Sequence, residues 1–181
     1  MNRAIVAGDR DGLGLGAAVG RYIAARRPRA RHADLSLLAA AWRLGLPATV
    51  HVAIGTDIVH VHPACDPGAL GRTTHLDFRL FAGEVARLGG GGVYLNVGSA
   101  VVLPEVFLKA VTLARNLGHD LSDFATANLD FLQSYRPGVN VVERPVKGCG
   151  RGYRLTGHHE MLVPLLAAAL VEKAAARRRR A

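Results

Sequence analysis

Residues 89–128 read GGGGVYLNVGSAVVLPEVFLKAVTLARNLGHDLSDFATAN, and this stretch decides the class of fold. Residues 93–97 are an apolar, β-prone run that reads as a buried strand. Pro104 suits a first helical turn, where its missing N–H costs nothing, and the helix it opens runs through Asn116 to a stop at Gly118. Residues 124–128 read as a second strand. Strand, helix and strand in this order make the crossover that joins parallel neighbours, since a parallel pair needs a long connection.

Upstream, residues 74–88 form an amphipathic helix with Leu76, Leu80, Phe81 and Val85 inward, ended by the four glycines. Residues 65–71 read as loop. Residues 58–62 are a short alternating strand ended by Pro63, Gly55-Thr56-Asp57 is a turn, and the β-branched run at 48–54 is a further strand. Before it, Leu35, Leu37, Leu38, Ala41 and Trp42 have helical spacing, with Asp34 or Ser36 as the cap and Gly45 and Pro47 as the stop. Downstream, residues 139–142 read as a short extended piece and 161–176 as a last apolar helix. The expectation is one α/β domain over 1–176, a parallel sheet covered by helices on both faces, and a basic tail at 177–181. Ligands of such sheets sit beyond the carboxyl ends of the strands. That singles out Gly55-Thr56-Asp57, Gly98-Ser99-Ala100 and the residues after Thr126.

The net charge of +9 over 181 residues is unevenly spread. Arg21, Arg26, Arg27, Arg29 and Arg31 form one block, and Arg177, Arg178, Arg179 and Arg180 another; outside them basic and acidic residues number 14 each. The basic residues do not interleave with aromatics, so a nucleic-acid partner is not expected. No uncharged apolar run is long enough to span a membrane and no signal-peptide pattern opens the chain, so a cytoplasmic protein without a membrane partner is expected. Cys65 and Cys149 are read as reduced thiols.

Three motifs compete for a site. Residues 4–7 as a strand, then Gly12-x-Gly14-x-x-Ala17, with Asp34 downstream, match the dinucleotide fingerprint; the plainer reading is a glycine-rich turn into a helix. His51, His60, His62 and Cys65 form the second group, with His60 and His62 on one face of an extended segment. They could bind zinc if His158, His159 or Glu160 converged on them, as in a metal hydrolase; otherwise they are polar-loop residues without metal. Gly89-Gly90-Gly91-Gly92 either caps a helix or lets backbone approach a ligand closely.

Leu46-Pro47 through His62-Pro63, Gly90-Gly91-Gly92-Val93, Thr126-Ala127 and Leu162-Val163-Pro164-Leu165-Leu166 together resemble, in order and spacing, the C-terminal part of the deoxyhypusine synthase family, closest to a bacterial branch. The resemblance runs from about Asp34 onward. Family members carry a further N-terminal segment, so a truncated member is expected. The resemblance implies a Rossmann-like NAD-binding domain, a homo-oligomer (dimer or tetramer) with sites between subunits, and aminobutyl transfer from a polyamine through a lysine imine. It implies that Gly90, Gly91, Gly92, Thr126 and Ala127 contact NAD, and that Asp57 binds the amine substrate; a polyamine pocket wants several carboxylates, and beside Asp57 the chain offers mainly Asp130 and Glu160. Among catalytic positions, Asn96 stands where the family has a histidine and His158 where it has an aspartate; Lys147 lies nearest the nucleophilic lysine. The competing expectation is a non-catalytic subunit or interaction module.

Overall fold

The structure, a computed structural model, describes residues 1–26 and 31–179. Arg27, Arg29 and Arg180 of the basic blocks lie outside the described residues. Where one domain is expected over 1–176, the chain forms two compact units, Met1–Glu84 and Val85–Ala181.

The first unit is built from α1 (Asn2–Arg10), α2 (Leu15–Ala24), a 3-10 turn (Ala33–Leu35), α3 (Leu37–Leu44), a second 3-10 turn (Ile58–Val61) and α4 (Pro67–Val85). Ala4, Ile5, Leu15, Val19, Ala69 and Leu70 form its core. Ser36 caps α3 by accepting from the Ala39 amide, and Gly45 ends it in the left-handed region at φ 65°, as the capping residues suggest.

Four expectations are corrected here. Residues 4–7 are helical, not a strand: Ala4, Ile5 and Gly8 make one buried face of α1. Residues 48–53 form no regular element and Ile54 opens a turn; the Val50 and Val52 amides bond to side chains of α4, Asp77 and Thr74, and the Thr74 hydroxyl donates to the Val50 carbonyl. Residues 58–61 form a 3-10 turn and not a strand. Asp57 takes the Ala53 amide and His60 the Gly55 amide, and such local side-chain bonds compete with a ladder. The expected loop at 65–71 is mostly helix: Asp66 Oδ1 accepts the Ala69 amide and Pro67 occupies the first turn, a cap and start that carry α4 back by two turns. The buried face of α4 is Ala69, Leu70, Thr73, Asp77 and Ala82, while Leu80 is exposed.

The second unit contains the parallel sheet. β1 (Val93–Val97), α5 (Val102–Asn116) and β2 (Phe124–Asp130) form the anticipated crossover. A short α6 (Tyr135–Pro137), a π-helical segment (Gly138–Glu143), β3 (Gly150–Thr156) and α7 (His159–Arg178) follow. The strand order is β1-β2-β3, all parallel, in the register Leu95↔Ala127↔Tyr153. Residues 139–142 are thus helical, not extended, and β3 has no counterpart in the sequence reading. Arg177 and Arg178 belong to the last turn of α7 and not to a tail.

One face of the sheet is closed. Tyr94 stacks on Phe107 of α5 with centroids 3.6 Å apart, and burial pushes its hydroxyl up to about 12. The Thr126 hydroxyl donates to the Val141 carbonyl of the π-helical segment, tying that crossover to β2. The other face is incompletely covered, against expectation: Ala127 and Leu129 of the central strand are buried, but Val93, Leu95, Tyr153 and Leu155 of the outer strands are exposed. Among the described residues no helix is long and apolar enough to cross a membrane.

Candidate functional site

The carboxyl edge of the sheet carries a chain of amides. Asn96, near the end of β1, is 1% exposed and donates through Nδ2 to the Ser99 carbonyl and to Asn128 Oδ1, at 2.9 and 2.7 Å. Asn128 Nδ2 donates to Gln133 Oε1, and Gln133 Nε2 donates to the Asp130 carbonyl. Asn96 Oδ1 is buried without a partner, a deficit of about 1–3 kcal/mol unless a donor reaches it. Around this network lie the Gly98-Ser99-Ala100 loop, the amino end of α5 and the start of α7. Ser99 Oγ accepts the Leu103 amide in the first turn of α5. His158 stacks on Phe131 at 4.6 Å, and the His159 ring donates from Nε2 to the Leu129 carbonyl.

Of the site residues named from sequence, Asn96, His158 and Glu160 belong to this edge. Thr126 and Ala127 lie mid-strand in β2 and are buried. The glycine run sits at the opposite, amino edge: Gly90 and Gly91 donate to the Ser122 and Asp123 carbonyls, and Gly92 to Leu88. Gly90 and Gly91 adopt φ of 73° and 101°, a turn that favours glycine. Lys147 is exposed in the turn before β3, also at the amino edge. A strand length of about 15–20 Å separates it from Asn96 and His158, so these three do not converge. Sequence reading does not single out Asn128 and Gln133. For Asn128 the signal is present: Asn96 and Asn128 are polar residues inside apolar strands, and the parallel register pairs them directly.

In the first unit a cavity of about 780 Å³ is lined by Tyr22, Val50, Val52, Ile58 and Val59, with Arg3, His51, Asp57 and His62 as its charged and polar groups. Asp57 is exposed there, one oxygen holding the Ala53 amide. His51 lies edge-on to Phe81, and burial lowers its pKa below the ordinary imidazole value. His60 and His62 do not share a strand face. His60 Nε2 accepts the Gly55 amide and His62 Nδ1 the Ala64 amide, which occupies one ring nitrogen of each. Among the described residues no three His, Cys, Asp or Glu side chains gather as a metal site would require. A chelator should therefore leave the melting temperature unchanged, while His60→Ala should lower stability by about 1 kcal/mol through the lost bond to Gly55. Thermal melts with and without chelator check both; a chelator-sensitive melt would restore a metal role.

The dinucleotide fingerprint at Gly12, Gly14 and Ala17 has a different explanation. The amino end of α2 is occupied by a carboxylate from the chain itself: Asp77 Oδ2 accepts the Gly16 amide at 2.9 Å and the Val50 amide at 2.7 Å. A Cβ at Gly14 would collide with Asp77 Oδ1, and one at Gly16 with the Ala48 carbonyl. Gly14 thus admits a carboxylate where the motif would admit a phosphate, and Gly12, with φ 68° and open space around it, serves the turn between α1 and α2.

Compared with protein-family models, with curated proteins and with solved structures, the chain matches none.

Proposed function

We propose that the chain is a dinucleotide-binding protein of deoxyhypusine synthase type, with NAD held at the carboxyl edge of its Rossmann-like sheet. The observation that carries this reading is the Asn96–Asn128–Gln133 network beside the amino end of α5, with Asn96 Oδ1 lacking a donor. A nicotinamide carboxamide supplies the missing N–H, reaching Asn96 by displacing the Ser99 loop. Displacing that loop frees the Leu103 amide from Ser99 Oγ, and this amide with the positive dipole of the α5 amino end faces the phosphates, Pro104 contributing no N–H. Position relative to the strands also supports the reading, because open parallel sheets bind ligands at this edge.

In this reading the glycine run is a structural turn, and Asp57, at the cavity of the first unit, meets the ammonium of a polyamine-type substrate. Aminobutyl transfer through Lys147 is left out, because the lysine lies at the other end of the strands from Asn96 and His158. The protein then binds without performing the lysine-imine step, which favours the non-catalytic alternative over a full transferase.

Calorimetric titration of NAD into the purified chain tests the reading. Asn96→Leu should weaken binding at least tenfold while the protein stays folded. Gly91→Ala should lower the melting temperature, because its φ of 101° strains any side chain, yet retain NAD affinity. Absence of binding to the unmodified chain overturns the proposal. Loss of binding in a folded Gly91→Ala protein would return the cofactor to the glycine run.

A further inference from the structure

α7 is a helix of 20 residues whose apolar side chains are left largely in solvent: Val163 is 45% exposed and Leu170 60%. Along one line of this helix stand Glu160, Val163, Ala167, Leu170, Ala174 and Arg177, spaced alternately three and four residues apart. That spacing is the seam of a two-stranded coiled coil. Its order has a further property. Reversed end for end about a point between residues 168 and 169, the seam places Glu160 opposite Arg177, Val163 opposite Ala174 and Leu170 opposite Ala167. Acid meets base at both ends, and each larger side chain meets an alanine, which lets two helices approach closely and interdigitate. Such self-complementarity is what a two-fold interface demands, since the same surface must serve both subunits.

We infer that α7 pairs with α7 of a second copy of this chain, antiparallel, through this seam. The contact runs about 26 Å, from Glu160 to Arg177. A parallel arrangement is disfavoured because it would place Arg177 against Arg177 and Glu160 against Glu160. The pairing also carries the second copy's Arg177 to the beginning of α7, beside the carboxyl edge of the sheet. The inference does not depend on what that edge binds.

A single helix pair is a small interface, so assembly should be concentration-dependent. Sedimentation velocity on the full chain, over about a hundredfold range of concentration, should show a monomer–dimer equilibrium. Glu160→Arg and Arg177→Glu should each weaken it by about tenfold or more, by creating like-charge contacts at both ends. The double exchange Glu160→Arg with Arg177→Glu should restore affinity to within about threefold of the original. In a background with Cys65→Ser and Cys149→Ser, chains carrying Val163→Cys should form disulfide dimers when mixed with chains carrying Ala174→Cys, and not alone. A monomer at every concentration overturns the inference. So does a dimer indifferent to the charge exchanges, or efficient cross-linking of Val163→Cys chains to one another.

Discussion

Asp77→Ala should unfold the first unit or cost it about 3–5 kcal/mol, whereas Asp77→Asn should cost less, about 1–3 kcal/mol. The Asp77 side chain lies fully buried in α4 and is the acceptor for two backbone amides, Gly16 at the start of α2 and Val50 of the irregular segment before the second 3-10 turn. Alanine leaves both amides inside the protein without a partner, at about 1–3 kcal/mol each, and removes the favourable group at a helix amino end. Asparagine keeps an acceptor oxygen for both amides. Its N–H₂ falls at the buried Oδ1 position, where it meets the Leu15 amide and no acceptor, a cost of about 1–3 kcal/mol. Urea denaturation followed by circular dichroism, with hydrogen exchange at the Gly16 and Val50 amides, measures the difference. Equal losses in the two variants would show that the charge, and not the accepted bonds, matters.

The pH dependence has a defined sign. Burial raises the Asp77 pKa above the ordinary carboxylate value. The folded protein thus binds this proton more tightly than the unfolded chain, and the contribution of the group falls as pH rises through its folded pKa. His51 acts in the opposite sense. Its lowered pKa means that stability is lost as pH falls below the imidazole range, where the unfolded chain takes a proton the folded one resists. Asp77→Asn should therefore remove the gain on acidification to the carboxylate range and deepen the His51 loss, which sets in at higher pH, because the Asp77 charge favours the His51 proton. Melting temperatures of both proteins across that range test the assignment.

The central crossover can be read from sequence because its signals are local: Pro104 near the helix start, Gly118 after its end, and apolar runs on either side. The first unit cannot, and the reason is tertiary. Residues 48–54 have the composition of a strand, but Asp77 and Thr74 of α4 take their amides, so nothing local distinguishes them from a sheet member. Residues 4–7 pass for a strand because four residues cannot separate two periodicities; the buried face of α1 emerges only with Gly8 included. At the carboxyl edge, resemblance points to Asn96, while Asn128 needs the register that places it opposite. The resemblance groups Lys147 with Asn96 and His158 by their order along the chain, and order says nothing about which end of a strand a residue flanks.

The strand absent from the sequence reading supplies the last test, Gly152→Val. β3 has the sequence GRGYRLT, whose two glycines and two arginines argue against a strand by propensity. The register explains the glycine. Gly152 lies opposite Thr126, on the face over which the π-helical segment crosses. A Cβ there would collide with the Val142 carbonyl and come within 2.9 Å of Val142 Cγ1. Valine has the higher strand propensity and would be favoured at an ordinary position, yet here it must push the crossover off the sheet. The Thr126 bond to Val141 would be lost with it. We expect a loss of about 3 kcal/mol or more, as for other overpacked sites without room to relax. Tyr153→Thr, next along the strand on the open face, should change stability by less than about 1 kcal/mol. Hydrogen exchange at the β2 and β3 amides separates the two: Gly152→Val should speed it throughout the pair, and Tyr153→Thr should not. A Gly152→Val protein as stable as the original would mean that the π-helical segment does not press on β3, and that propensity alone had misjudged the strand.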